Sequence, residues 1–246
     1  MDENADGLDA TEALWSALTP GWEGVTGSVA RSADAAREIP GVPRAWIDLV
    51  GNGERIALAA EQWRDMPRFA RYLRSSTLDV GVGLGVGGPV LVYLLSDWVD
   101  VPTGGFLPGL MIGGLPTPPE ALASFEERVG EIPAALRGAW RAHGFVLLKN
   151  GRWLGTLVPG GERITRPPAL VPRPSRGWAG QEEGRFECLE VLDPDRSITG
   201  CLVRRPGERA WLDYIVYRDG SGRVHSNHRP TIESTFTDWD TSEFEG

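Results

Sequence analysis

Cysteine, lysine and long apolar runs are all scarce in this chain. It has 2 cysteines in 246 residues, too few for a disulfide scaffold, which fits a reducing compartment. Its one lysine is Lys149, so arginine carries almost all of the positive charge. The longest apolar run, about 16 residues, is shorter than the ~20 that a membrane helix needs. Residues 1–20 are acidic and lack the apolar core of a signal peptide. We therefore expect a cytoplasmic protein that does not enter a membrane.

The common catalytic motifs are also missing from the sequence. There is no Gly-x-Ser-x-Gly elbow, no Walker loop and no His-Glu-x-x-His pair, and neither cysteine has the local signature of a nucleophile. His225 and His228 have a spacing that zinc sites use, but no third ligand follows at a diagnostic spacing in the sequence. We therefore interpret the two histidines as part of a polar turn. We predict no catalytic residue, no cofactor and no metal, and hence a protein that is not an enzyme.

A glycine-rich stretch leaves an alternative open. Gly83, Gly85 and Gly88 have the Gly-x-Gly-x-x-Gly spacing of dinucleotide sites. That motif needs a helix opening at the third glycine, whereas Pro89 and an apolar run follow here. Two close-packed strands or a buried loop are therefore favoured. The alternative function is a small enzyme or nucleotide-binding protein that uses residues 81–88.

The charge of the chain is strongly negative. The 25 Lys and Arg residues against 34 Asp and Glu residues give a net charge of −9. Most of the excess lies in residues 1–115, which hold 15 acidic and 8 basic groups. Such a surface repels phosphate backbones, so we do not expect nucleic-acid binding. A basic protein is electrostatically the easier partner.

Residues 117–145 predict two short helices. Thr117 is placed to cap the first helix in a Thr-x-x-Glu capping box, and Gly130 to end it with a left-handed residue. Pro133 opens the second helix and Gly144 ends it. His143, next to that end, is expected to interact with the exposed carbonyl groups. Apolar residues recur at helical spacing and predict one buried face for each helix: Leu122, Phe125, Val129, Leu136 and Trp140.

The other segments alternate helical and extended patterns. Residues 10–18 and 40–76 are predicted to be helical, and residues 101–116, rich in proline and glycine, to be a connector. Asn150-Gly151 then indicates a tight hairpin. Further elements are predicted after it: strands at 185–192, 198–204, 211–217 and 224–225, and a closing helix at 231–239.

These patterns predict an α+β protein with an antiparallel sheet flanked by helices. We expect a domain boundary near residue 115, between an N-terminal region, 1–115, with mixed helices and glycine-rich strands, and an α+β domain, 116–246. If Pro194-Asp195 is the tip of the turn between two of the later strands, Cys188 lies opposite Cys201. Two half-buried thiols or a cross-strand disulfide are both compatible with that position.

Four residues are candidates for binding a partner. Trp22 and Trp178 lie in predicted loops, where an exposed indole can anchor another protein. Glu182 and Glu183 are adjacent carboxylates in the proline-rich loop 165–184, and such neighbours are typical of a solvated charged surface. A long loop of this kind is also a common interaction segment.

The helix pair resembles the opening of the SUKH superfamily, the cell-wall-assembly-regulator-like domains that are abundant in bacteria. The matching positions are Phe125-Glu126, Gly130, Pro133 and Gly144. The resemblance covers about 116–246 and implies a SUKH-like sheet followed by a C-terminal helix. It also implies a protein-binding immunity function, in which the domain blocks a bacterial toxin, often a basic nuclease. A scaffold protein without a toxin is a further alternative.

Overall fold

A computed structural model of the chain describes residues 11–16, 25–85, 87–100, 106–149, 154–157, 187–192, 200–204, 207–210, 217–218 and 224–225. It has an α+β architecture, as the sequence predicts. The chain divides into two compact units that are each discontinuous in sequence. The first contains Met1–Gln62, Leu73–Leu115 and Val146–Leu154, and the second contains Trp63–Tyr72, Pro116–Phe145 and Gly155–Gly246.

The elements of the chain follow one another in a mixed order. Residues 11–16 are helical. The helices are α1 Ala33–Arg37, α2 Arg44–Val50, α3 Arg55–Glu61, α4 Pro67–Ser76, α5 Pro119–Val129 and α6 Ala134–Ala142. The strands are β1 Thr26–Ala30, β2 Thr77–Gly85, β3 Gly88–Asp100, β4 Phe106–Gly113, β5 Val146–Lys149, β6 Leu154–Leu157, β7 Glu187–Leu192, β8 Gly200–Arg204, β9 Tyr217–Arg218 and β10 Val224–His225.

The main sheet has six strands in the order β1-β2-β3-β4-β5-β6, so neighbours in sequence are neighbours in the sheet. The pairs from β1 to β5 are antiparallel. Residues of the central strands are buried on both faces, as the unbroken apolar run Val90–Leu95 of β3 requires. Two smaller antiparallel pairs, β7 with β8 and β9 with β10, form separate sheets.

Helices α2 and α3 each bury one face, although Leu58, one of the apolar positions whose spacing predicts a buried face, is 40% exposed. Trp46, Leu49 and Val50 of α2 and Ala59 and Ala60 of α3 are buried. Both helices pack on β2. Arg64, Arg68 and Arg71 fall on the side of the 40–76 segment opposite its apolar residues, which predicts that they are solvated, and all three are exposed.

The glycine-rich stretch is a β-hairpin, one of the two alternatives that the sequence favours. Strand β2 pairs with β3 in register from Asp79 opposite Leu94 to Gly85 opposite Gly88, and Gly88 has a φ of 125°. A Cβ added to Gly81 would meet Val29 Cγ1 and the Ala30 carbonyl oxygen of β1. The glycine therefore lets β1 approach β2 closely. Where a dinucleotide site needs a helix, this chain continues as strand β3.

The second unit is built around the predicted helix pair. Leu122, Phe125 and Val129 of α5 and Leu136 and Trp140 of α6 are buried, as their spacing predicts. The Phe125 and Trp140 rings meet edge to face at 5.6 Å. Met66 and the Trp63 and Phe69 rings complete the buried set, with the two rings 4.7 Å apart. These aromatic contacts provide much of the core that fixes the two helices.

Gly130 ends α5 with a φ of 97°, which confirms the predicted glycine stop. It is also a point of close approach, since an added Cβ would collide with the Arg209 carbonyl oxygen and the Arg204 guanidinium. The Glu131 backbone N–H donates to the Arg209 carbonyl at 3.0 Å. The link between the helices is therefore contacted by Arg204 and Arg209 of the same unit.

Several sequence predictions are wrong in detail. The capping box is not formed: α5 begins at Pro119 with Pro118 as N-cap, no side chain caps the helix, and the Thr117 N–H donates to the Trp140 carbonyl instead. Half of the expected connector 101–116 is strand β4, Phe106–Gly113. His143 lies at the C-cap of α6, as expected, and it is fully buried with its ring 5.5 Å from the Trp63 ring.

The predicted cysteine pairing is also wrong. Cys188 lies opposite Val203, and Cys201 lies opposite Glu190. This register differs by two residues from the one that a tip at Pro194-Asp195 would give, and a further shift of one residue lies between Glu190 and Leu192. The hairpin turn at Asn150-Gly151, the loop 165–184 and the helix 231–239 lie outside the described residues.

Candidate functional site

The most distinctive polar site in the described part of the chain is centred on Asp79 of β2. Its side chain is 2% exposed and accepts four hydrogen bonds. Oδ1 accepts from Arg55 Nε at 2.6 Å and from the Val80 backbone N–H at 2.8 Å. Oδ2 accepts from Arg31 Nε and Trp15 Nε1, both at 2.8 Å. All of these groups belong to the first unit.

Four segments bring these side chains together. Asp79 lies beyond the register shift between Thr77 and Asp79 at the start of β2. Arg31 follows directly after β1, and Arg55 is the first residue of α3, a helix that packs on β2. Trp15 comes from the helical segment 11–16. Because a buried carboxylate is costly without partners, this convergence is what permits an acid inside the sheet.

Trp15 is held by more than its hydrogen bond. It is 6% exposed, and the Arg31 guanidinium carbon lies 5.9 Å from the centre of its ring, within cation–π range. Glu12, one turn earlier on the same segment, forms an ion pair with Arg31. Arg31 therefore contacts the segment at both Glu12 and Trp15 while it also binds Asp79.

Both Asp79 oxygens are engaged by donors that lie within hydrogen-bond distance, so abstraction of a substrate proton would first require one of these bonds to break. Two arginines face one aspartate, and the exposed Glu12 balances the additional positive charge. The arrangement binds an indole by its N–H and by its face.

A second polar cluster joins the two helices that carry the family resemblance. Glu126 Oε1 accepts from Arg137 Nη2 at 2.6 Å, from Arg137 Nε at 3.1 Å and from the Ile132 backbone N–H at 3.2 Å. The hydrogen bond to Glu126 raises the pKa of Arg137 above its usual value, although burial opposes this, and the nearby charges of Glu126, Glu131 and Asp65 add to the increase. Glu126 thus ties the end of α5 to α6 and to the turn between them.

The four partner-binding candidates from the sequence, Trp22, Trp178, Glu182 and Glu183, lie outside the described residues. His225 is in β10, and His228 is outside as well. Within the described ranges, no three His, Cys, Asp or Glu side chains form a group that could hold a metal ion. Among those same residues, no helix has the length and apolarity needed to cross a membrane.

Sequence reasoning did not identify the Asp79 site. One signal was present, because Asp79 is the one charged residue between Thr77 and Ser96. A single acid in such an apolar stretch needs buried partners. Nothing in the local spacing indicates that Trp15, Arg31 and Arg55 supply them.

Comparisons with family models, curated proteins and solved structures find no match to this chain. The site is therefore interpreted from its own geometry. The helix-pair resemblance to the SUKH superfamily stays a prediction.

Proposed function

We propose that this chain is a non-enzymatic protein-binding module of the immunity type, which neutralises a bacterial toxin by binding it. The observation that carries the proposal is the distribution of charge. Among the described residues, Asp79 and Glu12 are balanced by Arg31 and Arg55, and Glu126 is balanced by Arg137. These clusters contribute no net charge, so the net charge of −9 is carried by the other charged side chains.

Such a surface favours a basic protein as the partner. Opposite potentials raise association rates and disfavour other acidic proteins. Exposed carboxylates occur in both units, for example Glu38 and Glu54 in the first and Glu120 and Glu127 in the second. The same charge opposes nucleic-acid binding.

The residues that carry the family resemblance hold the two helices of the pair together. Phe125 packs on Trp140, Glu126 binds Arg137, and Gly130 admits the chain near Arg209. Each of these positions stabilises the helix pair, and the exposed residues of α5 are small side chains, Glu120, Glu127 and Arg128. A rigid element with small side chains and an acidic excess on its exposed face suits the binding of another protein.

The test is co-expression with a toxin encoded beside the gene for this chain. We expect restored growth, and a stoichiometric complex whose association slows as salt is added. Loss of growth together with no complex at low salt would contradict the proposal.

Two charge-reversal pairs refine the test. Glu120→Lys with Glu127→Lys changes α5, and Glu38→Lys with Glu54→Lys changes the first unit by the same net charge. Both pairs should slow association, by roughly tenfold at low salt. A faster dissociation in one pair alone identifies the unit that contacts the toxin. If neither pair alters association, the electrostatic basis of the proposal is wrong.

A further inference from the structure

We propose that the second unit carries a docking surface for an acidic segment of another polypeptide. The surface, which we term the basic face, consists of Arg64, Arg68 and Arg71, all of them exposed. Arg68 and Arg71 lie on α4, Arg64 lies in the turn before it, and all three belong to the second unit. This inference goes beyond the immunity function and does not rest on it.

The buried side of the same segment fixes the position of the basic face. Trp63, Met66 and Phe69 recur at a spacing of three and are fully buried. Residues three or four apart share one side of a helix, so the arginines between these apolar positions are left on the solvent side. Their backbone is held by the aromatic core, and a backbone that is already ordered lowers the entropic cost of binding a partner.

The basic face differs from the other arginine surfaces in its surroundings. Three exposed arginines of the first unit each form an ion pair with a carboxylate: Arg37 with Asp34, Arg44 with Asp48 and Arg74 with Glu61. By contrast, Arg64 and Arg71 have no carboxylate partner among the described residues. These two charges can therefore pair with an anion from another molecule.

One acid adjoins the basic face, and it lies against α6. Asp65 is the single acidic residue from Trp63 to Leu78. A Cβ added to Gly138 of α6 would lie 2.4 Å from Asp65 Cβ and 2.8 Å from its Oδ2. The Asp65 charge also contributes to the raised pKa of Arg137 on the same helix. The acid therefore interacts with α6 and leaves residues 63–72 with an excess of positive charge.

Charge complementarity favours an acidic polypeptide segment as the occupant. A guanidinium group can donate two parallel hydrogen bonds to one carboxylate. At physiological salt the Debye length is about 8 Å, so a short segment on the basic face responds to these arginines more than to the acidic surface beyond them. A nucleic acid extends past that distance with a charge on every nucleotide, and the net charge of −9 opposes it. A basic toxin is repelled at this face, so the toxin and the acidic segment would use different surfaces.

The experiment measures binding of a rhodamine-labelled decapeptide of alternating glutamate and alanine to the full chain by fluorescence anisotropy. We expect saturable binding at low salt that weakens as salt is added. Replacing each glutamate of the peptide by glutamine should abolish the binding. In the chain, Arg64→Gln with Arg71→Gln should weaken the peptide by roughly fivefold or more, as expected for the loss of two exposed charge pairs.

Arg37→Gln with Arg44→Gln is the matched control, because it removes the same charge from two exposed arginines that already have carboxylate partners. It should change the peptide affinity by less than about twofold. Equal losses in the two double variants would overturn the proposal, and so would the absence of saturable binding at low salt. Tighter binding of an oligouridine decanucleotide than of the peptide would reject an acidic polypeptide as the occupant. The assay contains no toxin, so its failure leaves the immunity function untouched.

Discussion

Replacing Gly81 by alanine places a methyl group where β1 already lies. The new Cβ would stand 2.9 Å from the Ala30 carbonyl oxygen and closer still to Val29 Cγ1, both inside the 3.0 Å that real Cβ contacts respect. It would also lie 3.4 Å from Arg31 Cγ. Because backbone cannot yield as a flexible side chain does, β1 must move away from β2. Overpacking of this kind costs about 1–3 kcal/mol.

The assay is thermal and urea unfolding of the full chain, with hydrogen exchange of the β1 amides as a local probe. For a chain of this size each kcal/mol lowers Tm by roughly 2–4 °C. Exchange in β1 should accelerate, because the strand moves away from β2. Gly53→Ala is the matched control, since no atom lies within 4 Å of its added Cβ, and it should be neutral or slightly stabilising.

A double variant separates the two collisions. Val29→Ala in the Gly81→Ala background removes the side-chain collision but leaves the Ala30 carbonyl, so part of the lost stability should return. If Gly81→Ala is as stable as Gly53→Ala, then β1 does not approach β2 as described. The explanation of the glycine-rich stretch as a packing feature would then be refuted.

Three further substitutions test the remaining contacts. Trp15→Phe keeps an aromatic side chain but removes the indole N–H that donates to the buried Asp79 carboxylate. It should lower the free energy of unfolding in urea by about 1–3 kcal/mol. An unchanged urea midpoint would contradict the hydrogen bond between Trp15 and Asp79. Arg137→Lys keeps the charge but loses the paired donation from Nε and Nη2 to Glu126, and it should lower the free energy of unfolding by about 1 kcal/mol. A similar loss for Arg137→Gln would show that the charge alone does not account for the effect. Gly130→Ala should lower the free energy of unfolding by more than about 1 kcal/mol, because alanine disfavours the positive φ and its Cβ collides with the Arg209 carbonyl oxygen. A soluble variant with unchanged Tm would contradict both the backbone conformation and the collision.

The helix pair was predictable because its apolar spacing and its boundary residues agree. Proline before each helix and glycine after the first are local signals, and the structure confirms them within two residues. The cap was not predictable in the same way. Two adjacent prolines move the start of α5 to Pro119, and Thr117 bonds to the end of α6, which is a tertiary contact.

Strand β4 shows why composition misled the prediction at 101–116. Pro108 and Gly109 are typical of loops, yet Pro108 lies opposite Trp98, at the far side of a register shift between Leu94 and Trp98. A proline is tolerated where the ladder is already interrupted. The irregularity belongs to the partner strand and leaves no mark in residues 101–116.

The sequence predicts that Asp79 has buried partners, but it does not predict which residues they are. The sequence shows an acid in an apolar stretch but not its partners, because Trp15 and Arg31 are separated from Asp79 by 64 and 48 residues. Pairing of that kind follows from the order of strands in the sheet, and local spacing does not contain it.

The turn at Gly130 has a consequence for biosynthesis. The Val129 carbonyl accepts its hydrogen bond from an arginine 75 residues further along the chain, at Arg204. At ribosomal rates of about 5–20 residues per second, that partner emerges roughly 4–15 s after the helix it secures. The nascent helix pair therefore spends seconds beside the ribosome without the hydrogen bond from Arg204. A chaperone that binds this protein during synthesis would act in that interval.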